Sequence, residues 1–245
     1  MSELKSETAR IKTEYERRDS TSALAALYSP ANPSGVYIRQ QAELYIADYF
    51  FRRFAGLKKP QIEMAAGIHD MKLLDIGTGA GSMLQMFSML GFPRENLYGA
   101  DLMFDRARAA AQKNATSNVI NCNASLVPIK DSSFDFVSQF TVFSFVISAE
   151  MKKRIASEMV RVAKPGATVI WYDMIHTNPF NKNLKGVGYA EICRLFGVRP
   201  RECHRIVLNP WILRPLFNFS KTLCDVLAAL KIFNSFYIAF IKVKK

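Results

Sequence analysis

Long apolar runs are missing from this chain. No stretch of its 245 residues reaches the roughly 18 uninterrupted apolar positions a membrane-spanning helix needs. The apolar C-terminal stretch is broken by Lys221, Asp225 and Lys231. A leader-type apolar region is missing as well: MSELKSETARIKTEYERR is polar and charged, so a cytoplasmic protein without a secretory signal is expected. Cysteine is sparse. Cys122, Cys193, Cys203 and Cys224 show no C-x-x-C spacing, which excludes a disulfide framework and points to free thiols in a reducing compartment. Histidine is scarcer still, and no Cys/His cluster has metal-ligand spacing, so no metal is expected. Internal repeats and low-complexity segments are absent.

Acidic residues are few where basic ones are many. The net charge is +12, and from His176 to Lys245 twelve Lys and Arg face three acids. About three quarters of the excess thus lies in the last 70 residues. Such a field favours an anionic partner: a phosphorylated substrate, a nucleic acid or an anionic membrane surface. A solvated basic face is the plain alternative.

What is present is an alternation. Residues 1–18 read as a charged, mostly exposed helix, SPANPSG (29–35) as a break, and 36–57 as a helix with a broad apolar face. Short apolar runs then alternate with helical ones. Strands are expected at 72–76, 96–101, 119–123, 134–140 and 168–174, with helices at 82–90, 104–114 and 150–162. A helix at 223–230 and a final strand at 236–243 close the chain. The order predicts an α/β fold, a doubly wound and mostly parallel sheet. Residues 1–60 are expected as an N-terminal helical cap or lid and 61–245 as the ligand-binding α/β domain.

The ligand signal sits at KLLDIGTGAG (72–81), a buried strand that ends in Asp75 and feeds Gly77, Thr78, Gly79 and Gly81. Glycines let backbone turn sharply and approach a ligand. Asp101 ends the second strand, 20 residues past Gly81, where a carboxylate can accept hydrogen bonds from ribose hydroxyls. Asn123-Ala124 ends the third strand. Its amide suits a purine edge, with Leu102 and Met103 placed to sandwich the ring. The glycines read G-x-G-x-G, and G-x-G-x-x-G is absent. Asp75 would repel a pyrophosphate, whereas an ammonium or sulfonium would welcome it.

These segments resemble class I S-adenosylmethionine-dependent methyltransferases. The likeness rests on LLDIGTGAG (73–81), YGADLM (98–103), NASLVPIKDSSFDFV (123–137) and EMVRVAKPGATVIWYDM (158–174). Asn123 stands where the family usually has Asp, and Ala167 where it has a second glycine. The resemblance implies S-adenosyl-L-methionine as cofactor and a seven-stranded Rossmann-like sheet. Asp75, Gly77, Thr78, Gly79, Gly81, Asp101, Leu102, Met103, Asn123, Ala124 and Gln139 would form its site. The flanks EYERRDS (14–20), TNPFNKNLKGVGYAEICRLFG (177–197) and SFYIAFIK are similar to a bacterial subgroup found beside polysaccharide and glycoconjugate biosynthesis genes. That similarity implies O-methylation of a sugar-like or phosphorylated acceptor.

For the acceptor side, His176, just past the fifth strand, is the candidate general base. Tyr15, Tyr37, Phe140, Asn178, Asn181 and Lys185 are candidate substrate contacts. The expected partner is a small-molecule or glycan substrate, with peripheral membrane contact open. Two alternatives stand beside this. The basic C-terminal third allows a nucleic-acid (RNA) methyltransferase, although no basic run interleaved with stacking aromatics forms an RNA module. Intact cofactor residues also fit a non-catalytic, cofactor-binding interaction protein.

Overall fold

The structure, a computed structural model, describes residues 2–20, 26, 29, 31–55, 64, 66–114, 118–177 and 181–245. Successive strand residues point to opposite faces, and both faces of this sheet are apolar. Leu73 packs into one core cluster and its neighbour Leu74 into the other. A sheet buried on both sides must carry helices on both sides.

The elements run α1 Ser2–Ser20, α2 Pro33–Phe54, β1 Leu73–Ile76, α3 Ser82–Met89, β2 Leu97–Asp101, α4 Phe104–Lys113, β3 Asn118–Asn121 and β4 Phe134–Phe140. They continue α5 Ala149–Val162, β5 Ala163–Met174, α6 Tyr189–Phe196, β6 Glu202–Leu208, α7 Pro210–Phe217, α8 Lys221–Ala229 and β7 Asn234–Lys242. The sheet order is β3-β2-β1-β4-β5-β7-β6. β7 is antiparallel to both of its neighbours, and the other pairings are parallel. The order reverses between β1 and β4, and in open α/β sheets ligands bind at such a switch point, beyond the strand C-termini.

One face is covered by α5, whose Met151, Ile155, Met159 and Val162 are buried, with Trp171 of β5 and Ile192 of α6. The other is covered by α2 and α3. Phe50 of α2 is fully buried against Phe54, Phe87, Phe92 and Phe136. Lys152 is buried in the α5–α6 seam, where Glu191 pairs with it at 3.0 Å.

The expected seven-stranded, mostly parallel sheet is what the structure shows, with local differences. The SPANPSG break starts α2: Asn32 accepts the N–H groups of Ser34 and Gly35, and Pro33 takes the first helical position, where its missing N–H costs nothing. The helix therefore begins at Pro33 instead of residue 36. α1 is more engaged than a mostly exposed helix: Glu7, Ile11 and Glu14 form a buried stripe, and Ile11 joins the main core. α6, β6 and α7 are additions to the expected set.

Candidate active site

Asp75 sits in mid-sheet, with Gly99 of β2 on one side and Ser138 of β4 on the other. Its carboxylate is buried and accepts the Ser138 hydroxyl at 2.7 Å. Burial pushes its pKa up to about 7, against the opposing pull of that hydrogen bond.

The turn after β1 is pinned to β2. Gly77 and Thr78 both donate their N–H to the carbonyl of Ala100, at 2.7 and 3.1 Å. Gly77 (φ +69°) and Gly79 (φ +54°) occupy the left-handed region that side chains resist. A Cβ on Gly77 would fall 2.3 Å from the Val142 side chain, whereas one on Gly79 would meet nothing within 4 Å. Gly79 therefore presents bare backbone to open space, as a ligand cradle requires. Gly81 faces away: a Cβ there would lie 2.2 Å from Asn114 Nδ2, which donates to the Gly81 carbonyl at 3.1 Å. Thr78 is buried with its methyl toward Gly99.

β2 ends on Asp101, which is nearly buried and braces the same turn. Its Oδ2 accepts the Gly79 N–H at 2.8 Å and its Oδ1 the Met103 N–H at 2.9 Å. Burial raises its pKa, while those amides and the charges of Arg106 and Arg18 oppose the rise. A cavity of about 60 Å³ opens here. Gly77, Asp101, Leu102, Asn123 and Ala124 line it from the sheet, and Thr8, Ile11 and Tyr15 close it from α1. Asn123 Nδ2 donates to Thr8 Oγ1 at 3.0 Å, while its Oδ1 accepts the Ser125 N–H.

α1 is held over this cavity at several points. Tyr15 stacks on Phe145 with centroids 4.8 Å apart, and the Arg106 guanidinium lies 4.2 Å from the Tyr15 ring centroid. Arg106 also pairs with Asp19 at 2.8 Å. Asn181 and Asn183 donate to the buried Glu14 carboxylate at 2.9 and 2.7 Å. With Arg17 as the main cause, these bonds hold Glu14 down at about 2.

A second cavity, of about 320 Å³, lies beyond β4 and β5. Ile38, Tyr172, Met174, Phe236 and Trp211 give it a largely apolar wall, and Arg39, His176 and Arg214 add cationic or titratable groups. Neighbouring residues line the two cavities at one corner of the backbone: Val142 the first and Thr141 the second. Thr141 has φ +57°, a strained conformation for a β-branched residue. Fully buried Gln139 braces the corner, accepting the Val142 N–H at 3.0 Å and donating to the Tyr172 carbonyl. Asp173 caps the turn that follows, accepting the N–H groups of Phe143 and Ser144. Burial pushes Asp173 up to about 6.

The sequence-derived substrate contacts scatter. His176 is at the rim of the larger cavity, with Nε2 3.4 Å from the Arg205 guanidinium. Tyr15 closes the smaller cavity. Tyr37 lies outside both; its hydroxyl donates to Asp225 at 2.6 Å and its ring packs on Phe217. Phe140 packs between Phe87 and Tyr172 in the core. Asn181 is engaged by Glu14, and Lys185 is exposed while its N–H donates to Ser144. Asn178 lies outside the described residues. Tyr172, Met174, Ile38, Arg39, Trp211 and Arg214 went unread. They come from three elements, and nothing in their local sequence marks them. Among the described residues, no His, Cys, Asp or Glu cluster could hold a metal, and all four cysteines are free thiols.

A family model described as a methyltransferase domain matches residues 74–171. A sterol 4-C-methyltransferase of Caenorhabditis elegans is 27% identical over 131 residues, which cover 51% of this chain and 36% of that protein. The ubiquinone/menaquinone biosynthesis C-methyltransferase UbiE of Shewanella frigidimarina is 28% identical over 119 residues, 46% of each chain. The chain thus spans less than half the length of these curated relatives. Among solved structures, the geranyl diphosphate C-methyltransferase of Streptomyces coelicolor, in complex with S-adenosyl-L-homocysteine, shares the fold. Its TM-score is 0.56 at 16% identity, over 89% of this chain and 84% of that one. Residues 74–171 thus match a methyltransferase domain, and the sheet around them has the fold of methyltransferases of known structure.

Proposed function

We propose that the protein moves a methyl group from S-adenosylmethionine to a small amphiphilic acceptor, one with an apolar body and an anionic group. The observation that carries this is the pair Thr141–Val142, adjacent in the chain, of which one lines a largely apolar cavity and the other the cavity beside the glycine turn. The cofactor supplies an activated methyl on a sulfonium, so the protein must align the two partners and exclude water.

The residues divide that work. Asp75 and the Gly77–Gly79 backbone would hold the amino-acid end, Asp101 the ribose, and Leu102, Met103, Asn123 and Ala124 the adenine. Thr141 would set the distance between donor and acceptor. Ile38, Tyr172, Met174 and Phe236 would take the apolar body, and Arg39 and Arg214 the anionic group. His176 would accept a proton from the acceptor. The anionic character expected from the sequence is kept in this reading, but a polysaccharide acceptor has less to recommend it, because a polyol seeks hydrogen bonds where this wall is mostly apolar. The two curated relatives are named for sterol and for ubiquinone/menaquinone chemistry, both apolar-bodied acceptors.

The test has two stages. Calorimetric titration with S-adenosylhomocysteine and with NADH addresses the cofactor: binding of the first and indifference to the second is expected, and tight NADH binding overturns the reading. Labelled methyl transfer is then compared between isoprenoid phosphates or quinone precursors and sugar nucleotides. Transfer only to the sugars overturns the amphiphilic acceptor.

A further inference from the structure

Helix α8 is apolar on two sides. Cys224, Leu227 and Ala228 face inward, into a small cluster with Tyr37 and Leu213. Leu223, Val226 and Leu230 face outward, 44%, 54% and 55% exposed. A helix apolar all round belongs to a buried setting, yet this one is half in solvent. The turn that follows continues the pattern. Lys231 adopts φ +59°, and around it Leu230, Ile232 and Phe233 are all exposed. Phe219, in the α7–α8 turn, is the most exposed large apolar residue in the described chain, at 88%. Among the described residues, seven of the thirteen exposed large apolar side chains fall between Trp211 and Phe233, about a tenth of the chain, so chance scatter does not account for them.

We propose that the α7–α8 face docks on an anionic lipid bilayer. The charge on this segment selects that occupant. Arg214, Lys221 and Lys231 outnumber Asp225, and Asp225 is already engaged by Lys221 at 2.7 Å and by Tyr37. Exposed apolar side chains ringed by cations match the boundary between acyl chains and anionic headgroups. A second copy fits less well, because a twofold contact would set the same cations against each other. Trp211 and Arg214 lie on α7 and also line the larger cavity, so docking brings the cavity mouth to the lipid surface. If that cavity is the acceptor site, as proposed above, the acceptor reaches it from the bilayer; the docking itself does not depend on that reading.

The two tryptophans make the test direct. Trp171 is fully buried and Trp211 is 59% exposed, so an emission change on adding lipid reports Trp211. Vesicles of phosphatidylcholine, with and without phosphatidylglycerol, are added to the full chain in the absence of cofactor. The expected result is a blue shift and co-sedimentation with the anionic vesicles, weakened by salt. A Phe219→Ser, Ile232→Ser double variant should bind at least about tenfold more weakly, since two exposed side chains lose their burial. Its melting temperature and S-adenosylhomocysteine affinity should be unchanged, which separates loss of docking from misfolding and from failure of the methyltransferase reading. Absence of binding to either vesicle overturns the proposal. So does vesicle binding that the double variant retains, or a lipid-free dimer that the variant converts to a monomer.

Discussion

Asp75 is a buried carboxylate whose pKa of about 7 lies far above its ordinary range, with burial as the main cause. The sign follows from that. A group whose folded pKa is raised stabilises the fold below its unfolded pKa near 4 and loses that contribution as pH rises through about 7. Asp75→Asn should therefore raise the melting temperature of the cofactor-free protein at pH 8 by about 5 °C, with little change at pH 4. Ligand binding should run the opposite way. An ammonium near Asp75 favours the ionised form, so S-adenosylhomocysteine affinity should rise about tenfold from pH 6 to pH 8 in the native protein. Calorimetry on Asp75→Asn should show weaker binding and no such slope; a slope that survives the substitution would separate Asp75 from the ligand. At the acceptor rim, His176→Gln should lower kcat by about a hundredfold with KM little moved, the scale of a lost general base. A flat pH–rate profile in the native enzyme would sink that role. The turn built by Gly77, Gly79 and Asp101 was legible in the sequence because few physical solutions put glycines and acids in that order. Ile38, Met174 and Trp211 were not, because singly they are ordinary core chemistry, and only the fold brings them together.

At the scale of the element, α1 sets access to the cradle. The cavity beneath it, about 60 Å³, is well short of the roughly 300 Å³ that ligand pockets start from, so the cofactor proposed above would need α1 to lift. Tyr15 is its main latch, through the Phe145 stack and the Arg106 and Arg18 guanidinium contacts. Each such contact is worth about 1 kcal/mol. Tyr15→Ala should then speed S-adenosylhomocysteine association by about tenfold in stopped-flow experiments; an unchanged rate means α1 does not gate entry. The α5–α6 seam makes a separate prediction. Glu191→Gln leaves the buried Lys152 charge without its partner and should cost about 3 kcal/mol in denaturant unfolding, whereas Lys152→Met should cost less than about 1 kcal/mol. Equal costs would show that the ion pair itself stabilises the seam. The sequence showed α1 as a helix with Ile11 and Tyr15 on one face but not the burial of Glu7 and Glu14, which look solvent-facing until Arg10, Arg17 and the 181–183 loop are in place. β6 and α7 escaped for a related reason. ECHRI has polar residues at half-buried edge positions, and PWILRPLF carries a proline inside its helix.

For the molecule as a whole, the N-terminal part of the sheet follows chain order closely and its far side does not. Strands β1 to β5 pair in parallel through crossovers that the alternating pattern announces. β7 then inserts between β5 and β6 and runs the opposite way. That placement was beyond reach from the sequence, since a short apolar strand carries no sign of which edge it will join. It also fixes an order of events during synthesis. β6 leaves the ribosome before β7, its partner strand, exists. Until Asn234–Lys242 has emerged, the backbone of Glu202–Leu208 has no ladder to complete, and β5 presents an open edge beside it. This half of the sheet must therefore wait as an unzipped seam and close late, which makes the nascent chain most prone to aggregation while its apolar α7–α8 segment is also newly exposed.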